Sequence, residues 1–166
     1  PEEVNRVLID SITDYFFTTT PNASKTILKS GIPEEQIFFV GNTMIDTLLK
    51  FRSRFQQPKV WQELQLIEKE YLLITLHRPG NVDEAENLKR ILTEILANSR
   101  DLPVRFPVHP RTAVVLKELL FKADNLHLID SLSYLEFNFL VERAKAVITD
   151  SGGITEETTV LGIPCM

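Results

Sequence analysis

Cysteine and tryptophan each occur once in 166 residues, and glycine only six times. A lone Cys165 makes no internal disulfide and builds no cysteine metal cluster, which fits a reducing compartment; the expected location is the cytoplasm. Sparse glycine without a three-residue period excludes a collagen-like chain. Basic residues are also short, 18 Lys and Arg against 23 Asp and Glu, giving a net charge of -5 and a pI near 5.3. That balance argues against a broad electrostatic grip on nucleic acid or anionic lipid, so an anionic ligand must be held locally. No apolar run approaches the roughly 20 residues of a membrane-spanning helix, and nothing reads as a signal peptide. The expectation is no nucleic-acid partner and no membrane.

What is present is ordinary globular composition, 43% hydrophobic and 25% charged, enough to bury a core. The chain begins at Pro1 without a Met and stops at Met166, where a new strand should begin, so it reads as a piece of a longer protein. Helical and strand periods alternate, without internal repeats or low-complexity segments. A helix is expected from Pro1, with Val4, Val7, Leu8 and Ile12 at helical spacing. A strand over Tyr15 to Thr19 and a helix over Pro21 to Ser30 follow, with Gly31 as its terminating glycine. After a strand at Ile37 to Val40 and the break at Gly41-Asn42 come a helix over Thr43 to Phe55 and a polar linker at 56–59. Strands are then expected at 72–76, 104–108, 126–129 and 146–149, alternating with helices near 85–98, 112–122, 134–143 and 154–161. These strands are short continuous apolar runs, the mark of a parallel sheet covered on both faces. The fold class is therefore α/β: a Rossmann-like parallel sheet with helices on both faces, binding ligands beyond the carboxyl ends of its strands.

Three strand ends carry chemistry: Leu76-His77-Arg78-Pro79-Gly80-Asn81, Pro107-Val108-His109-Pro110-Arg111 and Thr149-Asp150-Ser151-Gly152-Gly153. A single histidine closing a strand is more often a satisfied structural residue than a catalytic one; two histidines and two arginines converging on the ligand edge raise the odds of a functional role. Ser151-Gly152-Gly153 opens a helix whose N–H groups can meet a phosphate, although the same residues also make a plain turn and no P-loop lysine follows. Glu157 lies about one turn further on, where it could accept from sugar hydroxyls; simple helix-dipole compensation is the bland alternative, and Glu156 fits it. Tyr134 and Phe137 could flank a base, though such aromatics are more often core. His127 lies within a strand and is read as structural. No histidine or carboxylate spacing suggests a metal site.

Taken together, PEEVNR at 1–6, VGNTMID at 40–46, TLHRPGNVD at 75–83, PVHPR at 107–111 and DSGGITEE at 150–157 resemble the UDP-N-acetylglucosamine 2-epimerase family, over the whole length and in the family's order. The HR motif is similar to that of the non-hydrolysing, bacterial and archaeal branch. The resemblance implies a GT-B architecture, two Rossmann-like domains across a cleft. Residues 1–40 would be the tail of the N-terminal domain, and 41–166 a C-terminal UDP-binding domain incomplete at its C-terminal end. It implies interconversion of UDP-GlcNAc and UDP-ManNAc through elimination and readdition of UDP, for cell-surface polysaccharide synthesis, by a homodimer without a cofactor.

By position, Glu2 resembles a family acid/base carboxylate and His77 a histidine important for catalysis near the diphosphate. Arg6 lies one helical turn after Glu2, toward the same cleft. Arg78, Asn81, His109, Ser151, Gly152 and Gly153 match phosphate and substrate contacts, Glu157 the carboxylate on the uridine ribose, and Phe137 the residue flanking uracil. Gly80 departs from the pattern, since Glu or Ser is usual there. Two upstream catalytic carboxylates of the family are absent from this chain, which alone is expected to be inactive. The competing readings are a hydrolysing relative that releases UDP and ManNAc, a GT-B glycosyltransferase, and a non-catalytic UDP-sugar-binding module.

Overall fold

The structure, a computed structural model, describes residues 2–108, 110–118 and 123–166; the side chains of residues 2, 110, 111 and 118 lie outside the description. Two compact units divide within one helix, residues 1–47 and residues 48–166.

The first unit runs α1 (Glu2–Asp10), β1 (Phe16–Thr18), α2 (Pro21–Lys29) and β2 (Ile37–Phe39), with α3 (Thr43–Phe51) crossing the division. β1 and β2 pair in parallel, Phe16 opposite Ile37 and Thr18 opposite Phe39. The start of α2 is fixed by Thr20, whose hydroxyl accepts from the Ala23 amide, with Pro21 in the first turn where its missing N–H costs nothing. Its end is fixed by Gly31, whose φ of 89° is open chiefly to glycine. The apolar residues Val4, Val7, Leu8 and Ile12 of α1 and the turn after it are exposed in this chain.

The second unit contains α4 (Lys59–Glu63), β3 (Leu72–Thr75), α5 (Pro79–Val82), α6 (Ala85–Ala97), β4 (Val104–Val108), α7 (Pro110–Glu118), β5 (Leu126–Asp130), α8 (Tyr134–Arg143), β6 (Ala146–Thr149) and α9 (Gly152–Leu161). Its sheet is parallel throughout, in the order β5-β4-β3-β6. Alternation along β3 sends Leu73 to one face and Ile74 to the other. Leu73 packs with Tyr71, Val147 and the α8 residues Leu140 and Val141, whereas Ile74 packs with Val104, Phe106, Leu88 and Leu92 of α6, and Leu116 of α7. Helices thus cover both faces. Residues 164–166 bond along the free side of β6, Val147 N–H donating to Pro164 and Met166 N–H to Val147. No helix among the described residues is long and apolar enough to cross a membrane.

Several boundaries differ from the expected ones. Helix α3 stops at Phe51 and passes into a tighter turn at Arg52–Arg54 rather than running to Phe55. The expected linker at 56–59 is irregular over residues 56–58 and ends one residue early, where α4 begins at Lys59 and packs Val60 and Trp61 on the core. The turn after β3 is helical over Pro79–Val82, anchored by the buried Val82. Helix α9 starts at Gly152, not Ile154, because Ser151 caps it. The expected end of the helix over 112–122 falls partly outside the described residues. His127, half-buried on β5, meets the Arg105 guanidinium opposite it on β4.

Tyr71 ties this sheet to α8. Its ring stacks edge-on to Trp61, and its hydroxyl donates at 2.6 Å to the carbonyl of Leu140, one of the last four carbonyls of α8 and so without a partner within the helix. Burial pushes the Tyr71 phenol well above its ordinary range and keeps it a donor. Tyr71→Phe in the complete gene product is expected to lose about 1–2 kcal/mol by stranding that carbonyl. Urea unfolding measures this, and an unchanged midpoint refutes it.

Candidate active site

The order β5-β4-β3-β6 places β6 on the opposite side of β3 from the strands that precede it. At such a switch point two neighbouring loops diverge to opposite faces and leave a crevice beyond the strand ends. The loops here are Leu76 to Asn81 after β3 and Asp150 to Gly153 after β6, brought level by the pairing of Thr75 with Thr149.

One carboxylate joins them. Asp150, with its side chain only 8% exposed, accepts from the backbone amides of His77 (3.1 Å) and Arg78 (2.9 Å) and from Asn81 Nδ2 (3.0 Å). His77 Nδ1 approaches Asp150 Oδ1 at 2.6 Å, and the ring is otherwise open, with 61% of its side chain exposed. Burial works against the Asp150 charge, yet the Asn81, Arg78 and His77 hydrogen bonds and the His77 charge outweigh it and hold the carboxyl below its ordinary range. Binding Nδ1 in this way leaves Nε2 as the ring nitrogen available to a ligand.

Beside this loop, Ser151 caps α9, its hydroxyl facing the Ile154 amide at 3.5 Å and its own amide donating to Thr149 Oγ1 at 3.0 Å. Gly152 and Gly153 occupy the first turn of α9, whose amides carry no partner within a helix and stand at the positive end of its dipole. A Cβ on Gly152 would meet nothing within 4 Å among the described residues. The same holds for Gly80, whose φ is not positive, so the backbone there accepts a side chain.

A second carboxylate lies one turn along α9. Glu157 is 5% exposed, and Tyr134 at the start of α8 donates to its Oε1 at 2.9 Å. Burial raises the Glu157 carboxyl above its ordinary value, while hydrogen bonds from Tyr134 and Asn138 pull it back. Burial, then the bond to Glu157 and its charge, push the Tyr134 phenol up to about 12, so it is protonated at neutral pH. Phe137 is half-buried against the core beside Val147 and Leu140.

The expected site residues are therefore distributed as follows. His77, Arg78, Asn81 and Ser151 gather around Asp150 with Gly152 and Gly153, and Glu157 and Phe137 follow on α9 and α8. Arg6, in the first unit, is engaged by Glu3 and Asp10 on its own helix. The Glu2 side chain and His109 lie outside the described residues. A cavity of about 670 Å³ along α4 and β5 shares no residue with this cluster. Asp150 and Tyr134 are the residues of this cluster that motif reading undervalued. The signal for Asp150 was its place at a strand end before Ser-Gly-Gly; for Tyr134 it was the Ser133…Glu136 capping box, which fixes it at a helix start.

A family model for UDP-N-acetylglucosamine 2-epimerase matches residues 1–166. A UDP-N-acetylglucosamine 2-epimerase of Methanococcus maripaludis is 41% identical over the whole chain, which covers 48% of that relative. The Methanocaldococcus jannaschii UDP-GlcNAc 2-epimerase solved in complex with UDP-GlcNAc and UDP is 37% identical with a TM-score of 0.83, over 99% of this chain and 48% of that one. The Neisseria meningitidis UDP-GlcNAc 2-epimerase bound to UDP-GlcNAc is 27% identical with a TM-score of 0.80, over 100% of this chain and 47% of that one. The chain thus spans about half the length of the relatives it matches.

The depressed Asp150 carboxyl gives a signed pH dependence. A carboxyl held low in the folded state contributes stability above its unfolded value, and that contribution is lost as pH falls through the folded value. Asp150→Asn should be less stable than the parent at about pH 6, with the gap closing as pH drops below about 4. Urea unfolding across this window tests it; a gap independent of pH rules out the charged role.

Proposed function

The chain belongs to the UDP-N-acetylglucosamine 2-epimerase family, and on that premise we propose that it is the UDP-binding half of a non-hydrolysing UDP-GlcNAc 2-epimerase interconverting UDP-GlcNAc and UDP-ManNAc. The observation that carries this reading is the Asp150 junction, which sets a histidine and an arginine beside the glycine start of α9 at the sheet's switch point.

In the proposed reaction the C2–H bond breaks and its electron pair forms the C1=C2 bond as the C1–O bond breaks toward UDP, leaving a glycal. UDP then adds back to C1 while a proton reaches C2 from the opposite face. The oxidation level never changes, so the scheme calls for no redox cofactor. Charge accumulates on the departing diphosphate, and preorganised donors aimed there lower the barrier. The Gly152 and Gly153 amides, the Ser151 hydroxyl and the Arg78 guanidinium supply them, joined by His109. His77, held through Nδ1 by Asp150, presents Nε2 to the phosphate. Asn81 acts through Asp150, to which its amide is committed. Glu157 accepts from the ribose hydroxyls and Phe137 flanks uracil. Glu2 serves as an acid/base group at C2 with Arg6 near it, together with carboxylates from the half that this chain does not contain. The working protein is proposed as a cytoplasmic homodimer supplying cell-surface polysaccharide synthesis.

The test uses the complete gene product with UDP-GlcNAc in heavy water, followed by proton NMR. Deuterium at C2 together with UDP-ManNAc is the expected result. Free ManNAc with UDP would assign the hydrolysing reaction instead, and no exchange would leave a transferase or a binding module. His77→Gln should lower kcat by about 10²–10⁴ with a smaller change in KM.

A further inference from the structure

Glu157 is a buried carboxylate that accepts from Tyr134 and Asn138. Its terminal torsion is a broad, soft rotor, and a carboxylate free to turn can place its two oxygens in many directions. The Tyr134 hydroxyl at 2.9 Å from Oε1 removes that freedom. Tyr134 itself is held by the capped first turn of α8, where Ser133 and Glu136 exchange hydrogen bonds, and the residue is 42% exposed while the carboxylate it meets is buried. One turn on, Asn138 is fully buried; its side-chain amide donates to the Tyr134 carbonyl at 3.3 Å and to Glu157, and its Oδ1 has no partner among the described residues. A buried amide oxygen left unpaired beside a buried carboxylate marks a site whose polar groups are not yet satisfied.

We propose that Tyr134 is a positioning residue for ribose recognition: its hydroxyl fixes Glu157 Oε1 so that the second carboxylate oxygen accepts from a ribose hydroxyl of the bound nucleotide. This rests on the ribose-binding role proposed for Glu157. A pre-set acceptor loses less freedom on binding, and a buried acceptor left unpaired by a missing hydroxyl is the arrangement that discriminates strongly between ligands. Tyr134 therefore governs how well the site tells a ribonucleotide from its 2′-deoxy analogue, without touching the reacting sugar.

The test measures UDP and 2′-deoxy-UDP binding by titration calorimetry on the complete gene product and its Tyr134→Phe and Glu157→Gln variants, with UDP-GlcNAc kinetics alongside. Phenylalanine keeps the ring and its packing, and an unchanged urea midpoint certifies the fold; Tyr134→Leu gives a second reading on the same hydroxyl. The expected result is that Tyr134→Phe weakens UDP roughly tenfold, leaves 2′-deoxy-UDP within about twofold, and raises KM more than it lowers kcat. Glu157→Gln should abolish the ribose preference. If Glu157→Gln abolishes it while both Tyr134 variants keep it, the positioning role is overturned and the ribose reading stands. If Glu157→Gln keeps the preference, the ribose reading fails and the positioning role with it.

Discussion

A carboxylate taken out of water at the meeting point of two strands must be paired on every side, or its charge becomes a large penalty. Asp150 meets that demand with donors 69 to 73 residues away in sequence, two of them backbone amides and one the Asn81 amide. Because the partners belong to the loop after β3, satisfying the charge also fixes that loop. His77 and Arg78 are consequently held where the loop meets the start of α9. Without Asp150, that loop would be left with the short α5 turn, the buried Val82 and the bond from Asn87 Nδ2 to the Gly80 carbonyl.

The two buried carboxylates of the second unit are tuned in opposite directions by their surroundings. Asp150 gathers several hydrogen bonds and a histidine and stays charged; Glu157 has a phenol and an amide against deeper burial, and its carboxyl rises. Opposed tuning of this kind separates roles among similar groups. A firmly ionised Asp150 suits an organiser of positive charge near a diphosphate. A less fully satisfied Glu157 suits an acceptor that gains by meeting a ligand's hydroxyls. The helices carrying these partners, α8 and α9, pack on one face of the sheet beside Val147 and Leu73, so core packing and site geometry share the same residues.

Much of this protein was legible in the residue order. Continuous apolar strands implied a parallel sheet covered on both faces, and the run Leu72 to Thr75 enters both cores as that pattern requires. Gly31 ended a helix for the reason a glycine does, a positive φ, and Ser151-Gly152-Gly153 opened one. The motifs alone resemble the family, because residue types at strand ends are local and their order survives in the sequence.

Pairings across long separations were not legible, since no local period encodes them. Asp150 looked like one more polar residue at a strand end until the pairing of β3 with β6 set it under His77 and Arg78. Tyr134 reads more readily as core from its sequence; the packing of α8 beside α9 gives its hydroxyl a buried carboxylate. Sequence by itself determined the elements, the fold class and which residues carry chemistry, because propensity, capping and patterning act over a few residues. Only the tertiary structure decided which of those residues meet and how each is charged, because burial and hydrogen bonding are set by neighbours that the chain brings together last.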